Sequence, residues 1–446
     1  MNRSRGAVGA VLLCLVLSAC GGAVPSTAIS RPSPAATPAG TPRATVPSPQ
    51  PSPSVSESPT IAEIQTLRAR LGAYPDDAAA LRDLGLALLQ RVRETADPSL
   101  YAQAGEAFDR ARRLDPDDPL ILVGIGGLQL ARHEFGDALE TARDVLVELP
   151  ELPEARAIQI DALIELGRYD EAAEAIDDLV AVHHDIVSLP RLSYLRELHG
   201  DIPGAVEAMR AAAESPGLAP ENTAYVLSLL ATLLLHDGDP EAARRTYDQA
   251  LAIVPDHAPS LAGLGRLAVG RGDLGEAIEQ FSRASAILPL PEYVIALGEA
   301  RDAAGDAAAA GNSYALARAE IRLFEAAGTQ VDVDLALFEA DHGDAGRALE
   351  LAEAAYTRAP TVRAADALGW ALHRLGRDDE ARRRTDEAIR LGSRDPLLRF
   401  HRGAILAALG EGSEARRDLA LALEIDPGFS ATGAAEARRL LDGLAG

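Results

Sequence analysis

A spacing that recurs about every 34 residues constrains this chain more than any single motif. It reads Ala, an aromatic residue four positions on, Ala three further and Pro five beyond that. Ala104, Phe108, Ala111 and Pro116 set it out; Ala243, Tyr247, Ala250 and Pro255 repeat it, as do Ala277, Phe281, Ala284 and Pro289. Pro116 and Pro150 lie 34 residues apart, as do Pro255 and Pro289. A fixed period of this length means stacked supersecondary units, each burying its apolar face against its neighbours. The 446 residues would otherwise suggest two or three globular domains, a prior that a repeat array overrides. An aromatic content of only 4%, beside abundant Ala and Leu, suits an all-helical fold.

One unit shows how the residues build the repeat. Leu261, Leu264 and Ala268 recur at helical spacing and predict a first helix with one apolar face. Gly272 suits a left-handed cap, and Asp273 suits the start of the next helix. Leu274, Ala277, Ile278, Phe281 and Ala284 form the apolar face of the second helix, and Pro289 marks its end. Gly265 and Ala277 are the small residues predicted where the two helices come closest.

These residues resemble the tetratricopeptide repeat: Leu264-Gly265, then Ala277, Phe281, Ala284 and Pro289. Other good copies are Ile125-Gly126 with Ala138 and Pro150, and Gly167-Arg168-Tyr169 with Ala172 and Leu179. Leu368-Gly369 with Gly376-Arg377, Ala381 and Ala388 is a further copy, and Gly403 with Gly410, Ala415, Ala422 and Pro427 another. About ten units fit between residues 76 and 427, in a repeat domain spanning 61–446. The pattern departs around 180–200 and 318–335, and about seven extra residues separate Leu84-Gly85-Leu88 from Tyr101-Ala104. Residues 431–444 read as an amphipathic helix capping the open end. The resemblance implies an all-α, right-handed α-solenoid whose first helices line a concave groove that binds proteins or peptides. The subclass that grips a C-terminal carboxylate with Lys, Asn and Arg is not matched, because the chain has no lysine.

Residues 1–19 read as a signal peptide: Arg3 and Arg5 precede an apolar run from Ala7 to Leu17, too short for a permanent membrane helix. Leu17-Ser18-Ala19-Cys20 resembles the lipobox of bacterial lipoproteins, which implies cleavage before Cys20 and lipidation of that residue. Cys14, the other cysteine, would leave with the signal peptide, so the mature chain would carry no disulfide. Residues 20–60 are rich in Pro, Ser, Thr and Ala, as in Pro47-Ser48-Pro49-Gln50-Pro51-Ser52-Pro53. Such composition cannot bury a core and favours an extended tether, reaching on the order of 120 Å at about 3.1 Å per residue. The expected location is therefore extracytoplasmic and membrane-anchored.

Charge narrows the partners. Residues 1–60 hold four Arg and one Glu, so the remainder carries 39 basic and 66 acidic side chains, a net of −27. That excludes nucleic acid and anionic lipid as natural partners. The absence of lysine also removes Schiff-base and phosphate-loop chemistry.

Candidate sites follow from the pattern. Gly124-Ile125-Gly126-Gly127 lies inside a helix with no preceding strand, so it reads as helix packing and not as a nucleotide loop. Arg271-Gly272-Asp273 spells an adhesion tripeptide, but Gly-Asp recurs at 200–201, 238–239 and 343–344 and marks the turn between paired helices. His183-His184-Asp185 falls where a helix should end, which suits histidine beside the helix dipole; a metal site would need more ligands. No metal, cofactor or enzymatic activity is expected, since repeats take up residues 61–446. Arg266, Arg363, Trp370, His373, Arg374 and Phe400 are predicted to turn towards the concave side as a protein-binding surface, with Trp370 as helix packing the competing reading. The function so predicted is a protein-interaction scaffold in the bacterial envelope. The alternative is an envelope sensor or carrier that holds a small molecule or glycan within the superhelix.

Overall fold

The computed structural model describes residues 59–215 and 219–444. The stretch read as a signal peptide, Cys20 and nearly all of the stretch read as a tether lie outside the described residues. Within them 22 helices follow one another, with no strand. A leading helix, α1 (Pro59–Ala73), is followed by ten helix pairs. The first five are α2 (Ala78–Thr95) with α3 (Leu100–Leu114), α4 (Pro119–Ala131) with α5 (Phe135–Glu148), α6 (Pro153–Glu165) with α7 (Tyr169–Val182), α8 (Leu189–Leu198) with α9 (Ile202–Ala213), and α10 (Pro220–His236) with α11 (Pro240–Ile253). The next five are α12 (Ala258–Gly270) with α13 (Leu274–Ile287), α14 (Pro291–Ala303) with α15 (Ala307–Ala326), α16 (Asp332–His342) with α17 (Ala345–Arg358), α18 (Val362–Arg374) with α19 (Asp378–Ala388), and α20 (Pro396–Ala408) with α21 (Gly412–Ile425). A capping helix, α22 (Ala431–Leu444), ends the array, which is an all-α repeat solenoid.

The punctuation inferred from sequence is present in atomic detail. Gly272 adopts a φ of +77°, and the Asp273 carboxylate accepts from the Glu276 amide at 3.0 Å to open α13. The same aspartate cap opens α9, α11, α15 and α17, at Asp201, Asp239, Asp306 and Asp344. Arg271-Gly272-Asp273 is thus the expected turn, and His183 caps the end of α7, donating its amide to the Leu179 carbonyl at 2.8 Å. Irregularities fall where the pattern lapses: α8 is only 10 residues long and α15 extends to 20.

The two helices of a unit meet where an aromatic ring fills a notch left by glycine. Within a unit, a Cβ on Gly265 would stand 2.8 Å from the Phe281 ring and one on Gly85 would stand 2.5 Å from that of Phe108; one on Gly124, in the next unit's first helix, would stand 2.3 Å from the same Phe108 ring. Gly124 is therefore a packing residue. Phe108 and Phe281 are both buried, which ties the sequence period directly to the helix–helix interface.

Stacking carries the chain through a full superhelical turn. The Val362 amide donates to the Tyr169 hydroxyl at 3.0 Å across 193 positions. Likewise His133 Nδ1 lies 2.7 Å from the Gln330 carbonyl, 197 positions on. The Arg390 guanidinium sits 5.3 Å over the Tyr169 ring, and Val362 joins the apolar core built by α6 and α7. The second turn thus packs on the first.

Because each unit is supported by its neighbours, damage should stay local. Phe281 is 5% exposed, so Phe281→Ala should cost about 3–5 kcal/mol. Amide hydrogen exchange should then rise most over α12–α15. Uniform loss of protection along the chain would contradict nearest-neighbour support.

Candidate functional site

Closure of the turn makes the inner faces of the first helices into the wall of a lumen. From α6 through α8, α10, α12, α14 and α16 to α18 they complete one circuit, since the start of α18 returns to the start of α7 at the Tyr169–Val362 bond. Tyr194, Tyr225, Arg266, Glu292, Tyr293 and Arg363 lie on this circuit, each partly covered. Their electrostatics show that they face one another across units. Burial would lower the Arg363 guanidinium, but Asp334, 3.1 Å away, together with Tyr194, Glu165 and Asp395, outweighs it and raises the pKa. Burial lifts the Tyr293 hydroxyl well above its usual range, helped by Glu292 and Tyr225.

Glu292 is a strongly perturbed carboxyl of this wall. Desolvation, assisted by nearby Asp334, pushes it up to about 8 against the opposing pull of Arg363 and a backbone hydrogen bond. His236 is raised as well: desolvation would lower it, but Glu197, 3.4 Å away, dominates with more distant help from Asp426 and Asp395. Such a wall offers aromatic faces, a guanidinium paired with a carboxylate and one carboxyl whose ionisation burial disfavours. It is suited to holding an extended polar chain through hydrogen bonds and ring contacts. Outside the circuit, a depression of about 210 Å³ is lined by Arg112 and Gln129 with Asp137, Glu140 and Asp144. Among the described residues no cluster of three or more His, Cys, Asp or Glu side chains is arranged to hold a metal. No described helix is long and apolar enough to cross a membrane.

The six residues expected on the concave side divide. Arg266 and Arg363 belong to the lumen wall, the former acting on Tyr293, Tyr247 and Asp426. Trp370 and Phe400 do not: they are 1% and 0% exposed, which corrects their placement in the groove. The Trp370 indole donates to Asp341 Oδ1 at 2.7 Å, stacks on His401 at 4.1 Å and meets Phe400 at 5.6 Å. His373 and Arg374 are engaged locally, with His373 Nδ1 2.5 Å from Asp378 and Arg374 Nε donating to the Ala340 carbonyl at 2.9 Å. The physical reason lies in the register. Arg266 and Trp370 each follow the glycine of a Leu-Gly pair, at the same place on the first helix. Around Trp370 the chain's end folds over that position: Phe400 lies 5.4 Å from Phe429, and both share one apolar core with Trp370. The tyrosines of the lumen and the buried Glu299 were not singled out from sequence. Glu299 follows Gly298 in this same register, the one signal that could have flagged it.

Tetratricopeptide repeat models match residues 62–119, 120–186 and 158–222, and a second such model matches 207–289, together just over half of the chain. Cellulose synthase operon protein C of Pseudomonas fluorescens (strain SBW25) is 28% identical over 183 residues, covering 39% of this chain and 14% of that protein. Cellulose synthase 2 operon protein C of Komagataeibacter xylinus is 30% identical over 213 residues, covering 48% of this chain and 14% of that protein. The chain thus spans about a seventh of the length of these relatives. Among solved structures, the APC/C hetero-tetramer Cut9–Hcn1 is 16% identical with a TM-score of 0.38, covering 87% of this chain and 67% of that one.

The lumen carboxyl makes a pH-dependent prediction. A pKa raised from 4.5 to about 8 means that the fold holds this proton more tightly than the unfolded chain does. The stabilisation is complete below the unfolded value and is lost as pH rises through about 8. Melting temperatures of wild type and Glu292→Gln should therefore diverge in favour of the variant between pH 5 and 9. A constant difference across that range would contradict a protonated lumen carboxyl.

Proposed function

Since this chain belongs to the tetratricopeptide repeat family, we propose that it is a membrane-anchored scaffold that gathers protein partners outside the bacterial cytoplasm. The observation that carries this is a run of ten stacked helix pairs whose first helices bring Arg266, Arg363 and three tyrosines to one inner wall. Repeat arrays of this kind present long interaction surfaces, and Tyr and Arg are favoured binding anchors. Partners would be proteins or peptide segments taken up at the concave side. The chemistry is that of binding, without a cofactor. Anchorage rests on the sequence alone: the charged start, the apolar run and Leu17-Ser18-Ala19-Cys20, followed by the Pro-rich tether. Two lipid-bearing positions on one cysteine would give lasting attachment where a single chain binds only marginally. The net charge of −27 beyond residue 60 sets nucleic acid aside.

A second function has an observation of its own. Contact between successive turns encloses the inner wall, and enclosure suits a carrier or sensor of a small molecule or glycan better than an open trough does. The names of the two curated relatives, both tied to cellulose synthase operons, favour the glycan form of that alternative.

Cross-linking in native membranes tests the proposal. Wild type should fractionate with membranes and capture defined proteins, Cys20→Ala should be released or stall in processing, and Arg266→Ala/Arg363→Ala should lose the captured proteins while remaining folded. A Cys20→Ala chain that matures and fractionates like wild type would refute the anchor. A folded double variant with an unchanged set of captured proteins would refute the lumen as the scaffold surface.

A further inference from the structure

The end of the chain reaches well beyond its own unit. α22 lies against α14 as well as against α20 and α21, and the Gly428 backbone meets α12 at Gly270. The segment therefore joins the last units to the preceding superhelical turn. Its polar anchor is Ser430, whose hydroxyl donates to Glu299 Oε2 at 2.7 Å and accepts from the Gly433 amide at 2.9 Å. Glu299 Oε1 lies 3.5 Å from His342 Nε2 on α16, and both side chains are 2% exposed. Tyr314 of α15 stacks on that imidazole at 4.0 Å.

Asp341, beside His342 and 5% exposed, accepts from Trp370 of α18 through Oδ1. Its Oδ2 is buried without a hydrogen-bond partner, as is Oε2 of Glu436 on α22. Three carboxyls from α14, α16 and α22 thus share one buried region. Near them are His342, under the Tyr314 ring, and Arg374 of α18, whose Nε donates to the Ala340 carbonyl. His401 of α20 is committed elsewhere, 2.8 Å from Asp366. On the outer side Arg439 reaches Glu436 at 3.1 Å. The ionised form of Asp341 is disfavoured here, because its charge loses hydration and is repelled by Glu299 and Glu436.

We infer that α22 is a pH-gated latch between superhelical turns, docked when the Asp341 carboxyl opposite Glu299 and Glu436 carries a proton. Burial raises Asp341 well above the ordinary carboxylate range; Glu299 and Glu436 add to the rise, while Trp370 and Arg374 oppose it. The direction follows from that rise. Docking brings Glu436 of α22 towards Asp341 and adds to that rise, so a protonated Asp341 favours docking in acid, and the advantage fades as pH rises through the elevated range. The latch therefore closes in acid and opens in base, whatever the lumen holds.

Hydrogen exchange of the full chain between pH 5 and 9, corrected for intrinsic rates, reads the latch at residues 431–444. Wild type should lose at least tenfold of its α22 protection towards high pH, with α4 and α5 unaffected. Asp341→Asn keeps a carbonyl oxygen for the indole and removes the titration, so its α22 should stay protected with a flat profile. A flat wild-type profile, or an Asp341→Asn profile with the wild-type slope, would overturn the inference. Should Asp341→Asn fail to fold, Glu436→Gln serves the same purpose: with one carboxyl fewer its profile should be shallower, and an unchanged slope overturns the latch equally.

Discussion

An aromatic ring seated in a glycine notch sets the geometry of the repeat, and the rest of the molecule inherits it. Phe281 against Gly265, and Phe108 against Gly85, bring the paired helices to a distance that a Cβ would forbid. Interiors packed at this density transmit small displacements instead of absorbing them. A fixed approach within each unit therefore becomes a fixed rotation between units, and a fixed rotation summed over the array decides where the chain meets itself. Here it returns after 193 residues, close enough for Tyr169 to accept a hydrogen bond from the Val362 backbone.

That return changes what the inner surface is. In an open coil the first-helix face would be a solvated trough, where Glu292 would ionise freely and Arg363 would be one exposed cation among others. Enclosed by a complete circuit, Glu292 is held up to about 8 and Arg363 is fixed by Asp334 and the groups opposite. Low local dielectric makes every such contact stronger and every unmatched one costlier, so an occupant of the lumen would have to match its polarity as well as its shape. The acidic excess of the chain is spread over many outer helix positions, whereas these few groups carry the specific chemistry.

The repeat, its turns and its caps were legible because they are local. Gly272, Asp273 and Pro289 act within a few residues of themselves, and the irregular units at α8 and α15 coincide with lapses in the pattern. Arg266 and Arg363 were legible for the same reason, as polar positions on an otherwise apolar first helix. Trp370 was not, although it shares Arg266's register, because its burial depends on how Phe429 and α22 fold back over α18 and α20. The cluster of Glu299, Asp341, His342 and Glu436 was invisible for a like cause: its members are up to 137 positions apart and meet only once a superhelical turn has closed. Period predicts the unit; it does not predict which units touch a turn later.

Closure of the superhelix is the claim on which lumen, electrostatics and latch all depend. Pulsed electron paramagnetic resonance measures it directly on a chain lacking residues 1–20, and with them both cysteines, into which Arg168→Cys and Arg358→Cys place two nitroxides at the Tyr169–Val362 junction. A closed superhelix gives one narrow, short distance distribution between labels 190 positions apart in sequence. A broad distribution extending to long distances would show an open coil, with no enclosed lumen.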